Sequence, residues 1–174
     1  MLSSFVSKTI CLIEEFLKMA ENYGKLQDGK FYFPLRVYYE DTDAGGVVYY
    51  ANYLKFAERA RTEFVRALGV MQNQDLAKEN PCAFVVRRCE IDYRSSAFLD
   101  DFLTVVTQIE QMGGVSLVVK QEVCRGEQIL ATLKVKVAYV SVKDKKILKL
   151  PPELNAWYAA ATAADKKNSN NAAE

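Results

Sequence analysis

The feature that most constrains the fold is a change in the spacing of apolar residues along the chain. Between residues 48 and 68 apolar side chains recur every three or four positions, which predicts an amphipathic helix. Beyond the helix the period falls to two, which predicts β-strands over residues 84–93, 102–110, 115–125 and 129–142. Gly113-Gly114 and Gly126-Glu127 stand where hairpin turns are expected. One helix followed by antiparallel strands is an α+β arrangement, in which the sheet covers the helix's apolar face.

The flanking segments complete the predicted organisation. Residues 31–39 are rich in aromatic and β-branched side chains and predict a strand before the helix, while residues 153–164 predict a short helix after the last strand. The long helix is predicted to end at Gly69. We predict an N-terminal helical extension and linker over residues 1–30, one folded domain over residues 31–160 and a disordered tail over residues 161–174.

The composition excludes several functions. The chain has no histidine, so it cannot use a Ser-His-Asp or Cys-His relay or a histidine-ligated zinc ion. Its 23 Lys and Arg residues balance 22 Asp and Glu residues, which argues against a nucleic-acid partner. We predict no metal and no cofactor. The four cysteines contain no C-x-x-C pair and are interpreted as reduced and structural: Cys11, Cys82, Cys89 and Cys124.

The N-terminal segment bears on localisation. Glu14 and Glu15 interrupt the apolar run within residues 1–21, and no cleavage site of small residues follows it. We therefore expect a soluble, cytoplasmic protein. An alternative is an amphipathic helix that lies on a membrane or on a partner protein.

Residues 37–64 carry the most informative motif, VYYEDTDAGGVVYYANYLKFAERARTEF. Asp41 and Asp43 precede a Gly-Gly turn into the predicted helix, where backbone N–H groups lack intrahelical acceptors. From spacing alone, either carboxylate is expected to cap the helix. The alternative is that one of them takes part in chemistry beside these free N–H groups.

This motif resembles the signature of the 4-hydroxybenzoyl-CoA thioesterase branch of the hotdog superfamily, and most closely that of the Tol-Pal-associated acyl-CoA thioesterases. The similarity extends over about residues 34–152. It implies a single hotdog domain, with an antiparallel sheet wrapped around a central helix, that forms a homodimer or homotetramer with sites between subunits. It also implies that Asp43 is the catalytic carboxylate and that the backbone N–H of Tyr50, in the first helical turn, polarises the thioester carbonyl. The implied substrate-binding residues are Gly46, Val47, Val48, Asn52 and Tyr53.

Thioester hydrolysis suits a site without histidine. Free N–H groups stabilise the oxyanion, and Asp43 can act as a nucleophile or as a general base. The thiol of the leaving group, with a pKa of about 8.5, needs no strong acid to depart. The resemblance therefore predicts hydrolysis of small or medium acyl-CoA to free acid and coenzyme A. Acyl carrier protein and membrane-associated lipid enzymes are further predicted partners, and a noncatalytic acyl-carrier or lipid-enzyme binding module is the alternative function.

The chain departs from the family pattern in two places. Tyr50 stands where many Tol-Pal-associated members have histidine, so its backbone is a stronger candidate for catalysis than its side chain. The second departure is at residues 113–115, which lack the basic residues that bind the nucleotide phosphates in the benzoyl-CoA type. Six other cations either lie on a solvated face of the sheet or bind phosphate: Arg87, Arg88, Lys120, Arg125, Lys134 and Lys136.

Glu58 is a weaker catalytic candidate, because Arg61 at i+3 predicts a surface ion pair with it.

Overall fold

One antiparallel sheet wraps around a long helix. The computed structural model describes the backbone of residues 24–171 and the side chains of residues 24–163. The strands are β1 (Lys25–Gln27), β2 (Lys30–Arg36), β3 (Cys82–Tyr93), β4 (Phe102–Met112), β5 (Ser116–Arg125) and β6 (Gln128–Ser141), and the helices are α1 (Asn52–Ala67), α2 (Gln72–Ala77) and α3 (Pro152–Asn171). A 3-10 turn covers Tyr39–Asp41. The predicted helix within residues 1–21 lies outside the described residues.

The sheet order is β1-β2-β4-β5-β6-β3, and every neighbouring pair is antiparallel. Alternate residues of β4, β5 and β6 are buried, as the period of two predicts. They pack with the covered face of α1, which contributes Phe56, Ala57, Ala60 and Phe64 to the core. The predicted α+β fold, with a sheet around a central helix, is thus confirmed.

Helix α1 begins later than the sequence predicts, at Asn52 instead of residue 48. Bridges from Val48 to Thr42 and from Val47 to Phe98 hold the preceding residues in an irregular loop, so they cannot take helical geometry. The spacing of three and four residues predicts Leu54 on the apolar face of the helix and does not include Phe56, yet Leu54 is 39% exposed and Phe56 is fully buried. Gly69 follows the end of the helix with a positive φ of 88°, as predicted.

The predicted linker and tail are both shorter than expected. Lys25–Gln27 pair with β2 and extend the sheet. A strand of three residues is too short to show the alternation of apolar and polar residues from which strands are predicted. Helix α3 begins one residue before its predicted start and continues to Asn171, so residues 161–171 of the predicted tail are helical. Residues 172–174 lie outside the described residues.

Strand β3 forms an exposed edge of the sheet. In the described part of the chain it pairs only with β6, and most of its twelve residues are exposed. Its cysteines, Cys82 and Cys89, are free thiols, as is Cys124, while Cys11 lies outside the described residues. No helix among the described residues has the length and apolar character that crossing a bilayer requires.

Candidate active site

Asp43 sits in a tight turn before α1. Its backbone N–H donates to the carbonyl of Val47 at 3.0 Å, and its own carbonyl accepts from the N–H of Gly46 at 3.0 Å. The side chain is exposed, and its Oδ1 accepts the N–H of Gly45 at 2.8 Å. Within the described residues, Oδ2 receives no hydrogen bond. The turn thus fixes the carboxylate by one oxygen and leaves the other open.

Asp41 and Asn52 hold this loop against the core. Asp41 is 3% exposed, and its Oδ2 accepts the N–H of Tyr38 at 2.9 Å, which closes the 3-10 turn. The buried amide Nδ2 of Asn52 donates to the carbonyl of Asp41 at 2.9 Å. The N-cap of α1 is Ala51, which makes no side-chain capping bond. The prediction that Asp41 or Asp43 caps this helix is therefore wrong.

Two consecutive N–H groups, those of Tyr50 and Ala51, have no acceptor among the described residues. The carbonyl of Tyr49 accepts the N–H of Asn52 at 2.8 Å, which fixes the peptide that carries the Tyr50 N–H. Tyr50 lies two residues before α1, so its predicted place in the first helical turn is wrong. The free donors belong to the turn that leads into the helix.

A group of tyrosines surrounds these donors. The rings of Tyr49 and Tyr50 lie 4.6 Å apart, and the neighbouring Tyr50 phenol raises the pKa of Tyr49, with smaller increases from burial and from the charge of Asp43. The Tyr53 hydroxyl accepts the N–H of Ala97 at 2.9 Å, and burial raises its pKa. The Tyr93 hydroxyl donates to the carbonyl of Tyr50 at 3.0 Å. With pKa values raised above the usual value of about 10, the phenols of Tyr49 and Tyr53 remain protonated at neutral pH.

Asp43 and Tyr50 share a cleft of about 350 Å³. Of the predicted substrate-binding residues, Val47, Val48 and Tyr53 line it too. Gly46 and Asn52 do not line it; Gly46 adopts a φ of 75° in the Asp43 turn, and Asn52 ties the loop to the core. Both shape the loop.

Sequence reasoning missed one wall of the cleft. It is formed by the end of β3 and the residues after it: Tyr93, Arg94, Ser95 and Ser96. Their contact with the Asp43 loop depends on long-range packing. A polar Arg-Ser-Ser stretch directly after a predicted strand was the only local signal.

The weaker carboxylate candidate, Glu58, lines a different cavity of about 120 Å³ together with Arg61. The predicted ion pair between them does not form within the described residues; Arg61 instead donates to Oε1 of Gln121 at 2.7 Å. Glu58 accepts the Thr62 hydroxyl at 2.8 Å. Burial lowers the pKa of Arg61. The structure thus places Glu58 apart from Asp43 and Tyr50.

None of the six candidate phosphate-binding cations lines the cleft of Asp43. Four of them form ion pairs on the sheet, namely Arg88 with Glu90, Lys120 with Glu122, Arg125 with Asp101 and Lys134 with Glu110. Arg87 and Lys136 are exposed. This arrangement agrees with the solvated-face interpretation. Within the described residues, no three His, Cys, Asp or Glu side chains group as metal ligands would.

Comparison with known proteins identifies the family. An acyl-CoA thioesterase, YbgC of Haemophilus influenzae, is 47% identical over 131 residues, which are 75% of this chain and 96% of the relative. The crystal structure of a probable thioesterase from Bartonella henselae is 38% identical with a TM-score of 0.66, covering 69% of this chain and 98% of the other. The DHNA-CoA thioesterase of Staphylococcus aureus shares the fold, with a TM-score of 0.71 at 22% identity over 80% of this chain and 95% of its own. The family model of the thioesterase-like superfamily matches residues 37–158, and the chain belongs to that superfamily.

Proposed function

We propose that the protein hydrolyses the thioester of small or medium acyl-CoA to free acid and coenzyme A. One observation carries the proposal: Asp43 and Tyr50 line one cleft, and among the described residues nothing donates to Oδ2 of Asp43 and nothing accepts the N–H of Tyr50. The similarity to the acyl-CoA thioesterase of Haemophilus influenzae supports the substrate class.

The N–H group of Tyr50 is the proposed oxyanion donor. As the thioester carbonyl is attacked, negative charge builds up on its oxygen, and a preorganised N–H stabilises it without reorganising. In other enzymes one such donor lowers the activation barrier by about 3 to 4 kcal/mol. The N–H of Ala51 can serve as the second donor, because it too lacks an acceptor among the described residues.

Asp43 supplies the attacking oxygen itself or activates a water that supplies it. As a nucleophile, its Oδ2 bonds to the acyl carbon, the C–S bond breaks and coenzyme A leaves as thiolate; water then cleaves the mixed anhydride and restores the carboxylate. As a general base, it takes a proton from water, whose oxygen bonds to the acyl carbon while the thiolate leaves. Both routes dispense with histidine, which this chain lacks.

Replacing Asp43 with Asn tests the proposal. The variant keeps a side-chain oxygen for the N–H of Gly45 but loses the nucleophile or base, so turnover of an acyl-CoA panel should fall by about 10³-fold or more. Thiol release measures it. The matched control is Asp28→Asn, an equivalent change at an exposed turn whose φ of 48° asparagine tolerates, and it should leave turnover unchanged.

Two outcomes would contradict the proposal. Unchanged turnover in Asp43→Asn would remove Asp43 from the mechanism. A wild-type protein that binds acyl-CoA or acyl carrier protein but releases no thiol would be the noncatalytic binding module instead. Circular dichroism of each variant shows whether the fold survives.

We also propose that the working unit is a homodimer or homotetramer. Strand β3 leaves one edge unpaired in the described residues, with Val86 52% exposed and Tyr93 43% exposed. A second copy pairing along this edge would continue the sheet and cover these side chains. It would also lie beside the cleft, which Tyr93 and Arg94 line, and would shield the exposed Asp43. Light scattering should find a mass of two or four chains; a fully active monomer would contradict this.

The cytoplasmic location stays a prediction from the N-terminal sequence, and acyl carrier protein and membrane-associated lipid enzymes stay predicted partners. Cell fractionation tests the location, and a protein found only outside the cytoplasm would contradict it. Co-purification with the full chain tests the two predicted partners.

A further inference from the structure

Tyr93 joins the edge strand to the turn that carries the proposed oxyanion donors. It is the last residue of β3, and its ring meets those of Tyr53 and Tyr50 edge-on at 5.6 Å and 6.4 Å between centroids. Edge-to-face contacts of this kind are favourable and hold a ring in one orientation. The phenol is thereby directed at the carbonyl of Tyr50, to which it donates at 3.0 Å.

This hydrogen bond acts on a peptide group that no other described group holds. The carbonyl of Tyr50 and the N–H of Ala51 belong to one planar peptide and point in opposite directions. The preceding peptide is fixed by the bond from the Asn52 N–H to the Tyr49 carbonyl. Within the described residues, the Tyr93 hydroxyl is the only donor to the Tyr50 carbonyl. The two free N–H groups are therefore held by two different anchors, one from the helix and one from β3.

We propose that Tyr93 is a positioning residue, whose hydroxyl holds the carbonyl of Tyr50 and thereby fixes the turn that carries the Tyr50 N–H in the cleft lined by Asp43. The inference rests on the proposed thioesterase function and adds a residue outside the signature motif. Tyr93 acts through the peptide and takes no part in bond making. Burial raises its pKa, so the phenol stays a protonated donor at neutral pH.

Tyr93→Phe isolates the hydroxyl because it keeps the ring and its edge contacts. We expect kcat for an acyl-CoA substrate to fall about tenfold, the factor set by about 1.4 kcal/mol, since one hydrogen bond contributes about that much. KM should change by less than about twofold, because the lost interaction orients a group used mainly in the transition state. The affinity for a non-hydrolysable thioether analogue should be unchanged.

Tyr139→Phe is the matched control. Its hydroxyl donates to Oδ2 of Asp75 at 2.9 Å, so the variant loses a hydrogen bond of similar length that lies in a different cleft. We expect kcat and KM of this variant to equal those of the wild type. Melting temperatures of both variants show how much stability each hydroxyl contributes.

The outcomes separate this inference from the proposed function. An active wild type with equal kcat in Tyr93→Phe overturns the positioning role alone. A rise in KM at constant kcat also overturns it, since Tyr93 would then contact substrate in the ground state. An equal loss of kcat in both variants would indicate general loosening and overturn it too. An inactive wild type overturns the proposed function itself.

Discussion

The two ends of helix α1 each border a cleft, and the clefts differ in what their carboxylates do. At the start of the helix, the carboxylate of Asp43 lies in a cleft of about 350 Å³ and, among the described residues, accepts only the N–H of Gly45. Beyond the end of the helix, Asp75 in a cleft of about 480 Å³ accepts the Tyr139 hydroxyl at 2.9 Å and pairs with Lys78 at 2.6 Å.

We therefore expect the larger cleft to be the less reactive one. A carboxylate that already accepts a phenol and an ammonium group has little capacity left to attack or to take a proton. Among the described residues, nothing donates to Oδ2 of Asp43, and the N–H groups of Tyr50 and Ala51 have no acceptor. On the proposed function, unused hydrogen-bonding capacity, more than cavity size, distinguishes the active site from the structural cleft.

A matched pair of glycine substitutions tests this comparison most strongly. Gly46 and Gly69 have φ values of 75° and 88°, and an added Cβ would meet no described atom within 4 Å at either. Alanine should thus cost about 1 to 2 kcal/mol of backbone strain at each position. Only Gly46→Ala strains the turn of Asp43, so it should also lower kcat/KM by roughly tenfold or more.

Urea unfolding and thiol release measure the two effects in the same samples. Gly69→Ala serves as the control for strain at the far end of α1 and should keep wild-type kcat/KM. Equal activity of the two variants would mean that the geometry of the Asp43 turn does not matter, which would break the comparison.

The cleft that contains Asp75 should produce a smaller effect, a loss of stability at alkaline pH. Burial and the hydrogen bond to Asp75 raise the pKa of the Tyr139 phenol. Because the folded pKa lies above the unfolded value of about 10, its contribution to stability is complete below pH 10 and is lost as the pH rises further. At pH 7 we expect Tyr139→Phe to lower the free energy of unfolding by about 0.5 to 1.5 kcal/mol.

Denaturant unfolding at a series of pH values checks this. The stability difference between wild type and Tyr139→Phe should be constant up to about pH 9 and should shrink above pH 10. A difference that grows with pH would contradict the assignment of Tyr139 as a protonated donor to Asp75.

The sequence alone predicted much of the fold because its signals are local. The period of two located β4, β5 and β6 to within about two residues, and glycines marked the turns between them. Errors arose where tertiary contacts decide: bridges to Thr42 and Phe98 delay the start of α1, and β1 is a strand only because β2 pairs with it. Local patterns cannot report such pairings.

The sequence by itself determined the candidate chemistry, since Asp43, the Gly-Gly turn after it and the lack of histidine are all properties of the chain. Only the tertiary structure decided that Asp41 is buried in a loop contact while Asp43 keeps an open oxygen, because burial depends on what packs around a residue. It alone also brought Tyr93, some 43 residues further along the chain, onto the carbonyl of Tyr50. Spacing in a sequence specifies neighbours along one element, whereas a hydrogen bond between distant segments depends on the folded sheet.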